Sequence, residues 1–221
     1  MKERFKNYLG YRELICLFAI GSVVGFILEG LHALIRRGAW ENHSATVWGP
    51  FCIIYGIGAV AVYLVSLILK DRSIPEQFLM FAAAGSAVEY LCSFLQERFF
   101  GSRSWDYSSR FMNINGRICL EMSLIWGILG LVFARLALPG IMKAAEAARS
   151  HNLRFIYIAF GVFMAANLIM SAAAVMRWSE RRSGLPPKNA AESYIDSRYG
   201  DDVMERIYGN MDFGEAAQPE E

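Results

Sequence analysis

The sequence predicts an all-α, polytopic bundle of about five transmembrane helices, and three observations carry that prediction. Of 221 residues, 55% are hydrophobic and only 19% are charged, an apolar share above the roughly 45–50% of soluble domains. The apolar residues gather in five blocks, 14–35, 47–69, 78–100, 118–138 and 155–176. Each is close to the ~20 residues that carry a helix across a hydrocarbon core of ~30 Å. The second and fifth blocks hold no charged side chain.

A charged lead-in, 1–13, precedes the first block. That block carries Glu29 and His32 near its far end, too polar and too long for a cleaved signal peptide, so it is expected to stay as a span. Basic residues balance between the two sides of the expected spans, which leaves orientation open; four before the first block against two just after it lean only slightly to a cytoplasmic N-terminus. Connections at 36–46, 70–77, 101–117 and 139–154 separate the blocks. Ser183-Gly184-Leu185-Pro186-Pro187 ends the last helix, because two prolines cannot continue it.

The chain therefore divides into a transmembrane domain, 1–182, and a tail, 183–221. From 189 onward there are 2 basic and 9 acidic residues. Asn189 and Glu192 read as a capped helix start. Val203, Met204, Ile207 and Tyr208 form an apolar stripe at helical spacing, so one short amphipathic helix is expected, resting on the protein or the membrane. Residues 214–221 are expected to lack order.

Several function classes fall away on composition and motif. There is no basic stripe on a soluble module, so no nucleic acid is expected. No P-loop, H-E-x-x-H or G-x-S-x-G occurs. Cys16, Cys52, Cys92 and Cys119 sit in or beside spans, where they act as small apolar thiols. No cofactor and no metal are expected.

Charged groups inside hydrocarbon cost at least ~2.5–3.5 kcal/mol each on insertion scales, so the ones present usually face an interior. Glu29, Glu89 and Glu121 come from the first, third and fourth spans, and antiparallel packing is expected to bring them to one cavity. Gly21, Gly25, Glu29, His32 and Arg36 share one side of the first span. Gly85, Glu89, Ser93 and Glu97 do so in the third. Arg98 and Arg117 are placed at the cavity mouth, with Arg117 and Glu121 one turn apart. Trp105, Asp106 and Tyr107, with Asn115, read as a lid over the carboxylates.

The chain also looks internally duplicated. Gly25-x-x-x-Glu29 is echoed by Gly85-x-x-x-Glu89. The next spans carry Tyr55-Gly56-Ile57-Gly58 and Trp126-Gly127-Ile128-Leu129-Gly130. Two spans per unit would make the repeats parallel.

Trp48-Gly49-Pro50-Phe51-Cys52-Ile53-Ile54-Tyr55-Gly56 resembles the GP-x-C-P-I-Y-G segment of the CmpB-like ABC-transporter type IV membrane family. Glu89-Tyr90, Trp105-Asp106-Tyr107-Ser108 and Asn115-Gly116-Arg117-Ile118 resemble its later signatures in the same order, and 194–208 resembles its bacterial members. Ile53 stands where the family commonly has proline, and Asn167 where many members have an acid. Gly49, Pro50, Tyr55 and Gly56 are read as helix-packing residues.

The resemblance implies a permease-like subunit of the plasma membrane handling a small solute or ion, with ATP hydrolysis supplied by a separate ATPase chain. Further copies of the chain are an expected assembly. Two other readings stand beside it: a membrane enzyme using Glu29, Glu89 or Glu121 on a lipid-linked substrate, and a helper that only packs against other membrane proteins.

Overall fold

The computed structural model describes residues 10–69, 71–150 and 154–214. Most of the lead-in and everything past Gly214 in the expected disordered end lie outside the described residues. Apolar periodicity and caps produce helices α1 (Tyr11–Arg37), α2 (Ile53–Leu69), α3 (Ile74–Phe100) and α4 (Leu120–Val132), then a π turn (Phe133–Ala137). These are followed by α5 (Leu138–Ser150), α6 (Arg154–Arg182), α7 (Ala190–Arg198) and α8 (Asp201–Ile207). Among the described residues, four stretches are long and apolar enough to cross a membrane: Tyr11–Arg37, Ile74–Phe100, Leu120–Ala144 and Arg154–Arg182.

Three boundaries differ from the sequence reading. The expected span 47–69 is helical only from Ile53, leaving a 17-residue helix of ~26 Å at 1.5 Å per residue, short of the core thickness. Gly49 holds a left-handed φ of 82°, and Pro50 offers no amide to a helix, so 47–52 stays a loop. The connection expected at 139–154 is mostly helix. Pro139 cannot donate to the carbonyl four residues back, and the wide π turn just before it absorbs that loss. Helix α3 starts at Ile74, earlier than residue 78, because Glu76 accepts from the Ser73 amide at 2.9 Å and closes a capping box.

Helices α1 and α2 form one antiparallel hairpin, with Gly21 against Ala59 and Gly25 against the Tyr55 ring. Helices α3 and α4 form a second, with Gly85 against Trp126 and Gly130 against Phe81. Small residues at these crossings let the backbones close up. Both hairpins point the same way, so the loops 38–52 and 101–119 that close them share one end, and the connection from α2 to α3 lies at the other.

The tail meets those loops. It holds two short helices where one was expected, with Gly200 as the N-cap of the second. Asn189 caps α7 through its side chain, accepting from the Glu192 amide at 3.0 Å. Met204, Tyr208 and Phe213 bury against Ala174, Val175 and Trp178 of α6, with Tyr199 between. The apolar stripe thus rests on protein. Arg103 and Asp212 exchange backbone bonds at 2.7 Å, tying the tail to the third loop.

One charged group anchors this arrangement. Arg177 is 3% exposed and grips Asp196 through Nε at 3.2 Å and Nη2 at 2.7 Å. It also donates to Glu180 at 2.6 Å. A bidentate guanidinium–carboxylate pair fixes direction as well as distance.

Arg177→Leu should weaken docking of the tail by about 1–3 kcal/mol, since it removes a buried guanidinium while the half-buried acids around it keep Arg181 and Lys188. Protease cutting within 183–188 reads this directly. Arg177 and then Arg181 hold the Asp196 carboxyl below its usual range. A depressed folded value means the contribution is intact above the unfolded pKa of ~3.9 and falls as pH drops through the lower folded one. Pepsin cutting of the wild-type linker should therefore rise sharply below about pH 4, whereas Asp196→Asn should be cut readily at every pH in that range.

Candidate functional site

Glu89 lies midway along α3 and is 3% exposed. Gly85, one turn earlier, leaves room for Trp126, whose Cγ would stand 2.5 Å from any added Cβ. That close seating aims the indole Nε1 at Glu89 Oε2, which accepts at 3.0 Å. Tyr107 donates its hydroxyl to Oε1 at 2.9 Å. Both oxygens are thus held by neutral donors.

The first hairpin repeats the design. Gly25 makes room for the Tyr55 ring, and the Tyr55 hydroxyl donates to Glu29 Oε1 at 2.6 Å. The two aromatic donors touch, with Tyr55 and Trp126 ring centroids 5.6 Å apart. Glu29 lies within electrostatic range of Glu89. Among the described residues, neither acid has a basic side chain at ion-pair distance. The pattern of glycine, then acid one turn on, then an aromatic donor from the next helix, is the physical content of the sequence echo.

Glu89 is closed and Glu29 is not. Tyr107 reaches Glu89 because the third loop folds back on itself. Its amide donates to the Gly116 carbonyl at 2.8 Å, and Trp105 Nε1 donates to the Arg117 carbonyl at 3.0 Å. Asp106 accepts from the Ser108 amide at 2.8 Å and its hydroxyl at 2.5 Å, an Asx turn. Those bonds from Ser108 hold the Asp106 carboxyl below its usual range. Gly116 sits against that carboxylate at a φ of 67°, a place only glycine fills without strain. Asn115 donates to the Tyr90 hydroxyl at 2.8 Å. Burial, with Glu89 beside it, pushes the Tyr107 phenol well above its usual value, so it remains a donor.

Other expected members lie elsewhere. Glu121 is exposed and faces Arg110 at 3.4 Å. It sits in the first turn of α4, five residues before Trp126, and the two project to different sides at 100° per residue. Arg117 pairs with Glu97 instead of Glu121, and Arg103 joins that acid at 2.5 Å. Arg98, His32 and Arg36 are exposed, the last two because α1 runs on beyond the start of α2. Ser93 is buried at 2%, one turn from Glu89. The arginines thus form a rim with Glu97, and the carboxylate pair has none. A groove of about 400 Å³ in the bundle is also elsewhere. It is lined wholly by apolar residues of α1, α2 and α6.

Sequence reasoning placed Tyr55 only in packing and Trp126 only in the repeat; both are donors. Their signal was the register, since each packs opposite a glycine four residues before an acid. It also read Asn167 as a departure from a family acid. Asn167 in fact clamps the Trp48 peptide, accepting from its amide at 3.1 Å and donating to its carbonyl at 2.7 Å. Ser171 accepts from the Val47 amide at 2.9 Å, and Trp48 Nε1 donates to the Tyr199 hydroxyl at 2.9 Å.

Gly85→Ala should lower thermal stability by about 1–3 kcal/mol, because its methyl group overlaps the Trp126 ring. Gly140→Ala meets nothing within 4 Å and should be neutral or slightly stabilising. Melting of the two purified variants side by side separates crowding from any general effect of losing a glycine.

The family model described as "Putative ABC-transporter type IV" matches residues 16–172, which covers the first hairpin from Cys16, the second hairpin with the third loop, and α6 as far as Ala172. No curated protein and no solved structure matches the chain. The matched region holds Glu29, Tyr55, Glu89, Tyr107 and Trp126 together, and this chain belongs to that ABC-transporter type IV membrane family.

Proposed function

We propose that this chain is a multi-pass, permease-like subunit of the plasma membrane whose Glu29–Glu89 pair takes up a proton or small cation. ATP hydrolysis would come from a separate chain, since this one carries no nucleotide-binding motif. One observation carries the reading: two acids inside apolar helices, each held by an aromatic donor and neither by a base. An ionised carboxylate in hydrocarbon is costly without a counter-charge. Structural acids in such a place are normally paired with arginine, as Glu97 is at the rim. An acid left without a base has its counter-charge supplied from outside, by a proton or a cation.

The asymmetry between the acids suggests an order. Glu29 is partly exposed and serves as the entry. Glu89, reached past the touching Tyr55 and Trp126 rings, is the inner site, and Tyr107 closes it. The absence of arginine from the pair removes the phosphate-holding group that a lipid-linked substrate would require.

Glu89→Gln tests this. A glutamine can accept from Trp126 through its oxygen and donate its amide to the Tyr107 oxygen, so its hydrogen bonds can all be rebuilt. The fold should survive, with melting in detergent shifted by less than about 4 °C. Cation- or proton-dependent changes in melting, and the phenotype of cells relying on the chain, should be lost. A large fall in stability with ion dependence retained would make Glu89 a packing residue and end the proposal.

A further inference from the structure

We propose that the groove between α1, α2 and α6 is a binding site for an anionic phospholipid, with an acyl chain in the groove and the phosphate at Arg12. Helix α6 is fastened at its Arg182 end, where Asn167 and Ser171 hold the first loop and Trp178 enters the tail core. Toward its Arg154 end, the groove separates it from α1 and α2. The groove has about 400 Å³ and is lined by residues such as Leu14, Ile15, Phe18, Val60, Phe160 and Met164. That volume falls within the ~300–1,000 Å³ of small-molecule sites. A lining made almost wholly of apolar side chains suits hydrocarbon.

What stands at the mouth identifies the occupant. The Arg12 guanidinium lies over the Tyr157 ring of α6 at 5.7 Å and over Tyr11 at 5.9 Å, and donates to the Tyr11 hydroxyl at 3.3 Å. Ile15 is one turn below Arg12 on α1, and Phe160 and Gly161 are one turn below Tyr157 on α6, so the cation caps the groove from both helices. A cation with two tyrosines just outside an apolar slot matches a phosphate at headgroup depth above an acyl chain. A helix of a second copy would bring no negative charge to that point by its apolar face.

The purified full chain, mixed with equal phosphatidylglycerol and phosphatidylcholine in detergent, is examined by native mass spectrometry. Wild type should retain phosphatidylglycerol in preference. Arg12→Gln should cut that preference roughly tenfold, the size of one charge-assisted contact, while still holding lipid without selectivity. Gly161→Leu should lose both lipids, and its new Cβ meets only Ile15 Cδ1 at 3.6 Å, an ordinary contact. Ala165→Leu, on the same wall, should do the same and guards against a folding artefact of either variant. Undiminished selectivity in Arg12→Gln, no lipid on wild type, or a dimer that Gly161→Leu breaks would each overturn the assignment. Glu89→Gln should retain lipid as wild type does, so this result stands or falls apart from the carboxylate proposal.

Discussion

Inside apolar helices there is no water to complete a polar group, so each buried oxygen must find its donor within the protein. Glu89 shows what that demand imposes. Its two oxygens need two donors, one of which comes from α4 and the other from a loop eighteen positions along the chain. Trp126 can serve only if α3 and α4 approach to glycine distance at Gly85, and Tyr107 only if the third loop turns back over the bundle. Helix spacing, loop path and the Asx turn at Asp106 all follow from one carboxyl group. The same demand, met once at Glu29 by Tyr55, shapes the other hairpin with less enclosure.

The loops at this end are therefore structural parts of the site. Asn167 completes the Trp48 peptide much as a neighbouring strand would, through one donor and one acceptor. This keeps 47–52 off the α2 axis although its residues are apolar. The third loop is braced from outside by the tail, whose Asp212 exchanges backbone bonds with Arg103, the residue that also grips Glu97. Arg177 and Trp178 hold the tail in turn. A line of contacts thus runs from a buried ion pair at the end of α6, through the tail and the third loop, to the hydroxyl on Glu89.

Much of the fold was legible in the sequence because hydrocarbon imposes simple rules. Long uncharged runs, a capping serine with its glutamate, and the paired prolines after Gly184 are local signals, and the helices obey them to within a few residues. The exceptions have separate causes. Pro139 looked like a terminator and is carried by a π turn, and 47–52 looked like a helix start and is a clamped loop. In the first case the π turn rearranged the bonds just before the proline, and in the second the Asn167 and Ser171 side chains of α6 supplied the bonds that local chemistry withheld.

The residues alone determined the class of protein and its long apolar helices, since those depend on composition and on a period of 3.6. They also carried the glycine–acid echo between the halves. Tertiary structure decided which donor each acid would meet. Glu121 carries the same carboxyl as Glu89 but leaves its helix toward Arg110, whereas Arg117 crosses to Glu97 on another helix. Spacing along a helix sets the direction in which a side chain leaves it. What it meets there is fixed by the rotation and separation of the neighbouring helix, and those depend on glycine contacts that form only when the whole bundle packs.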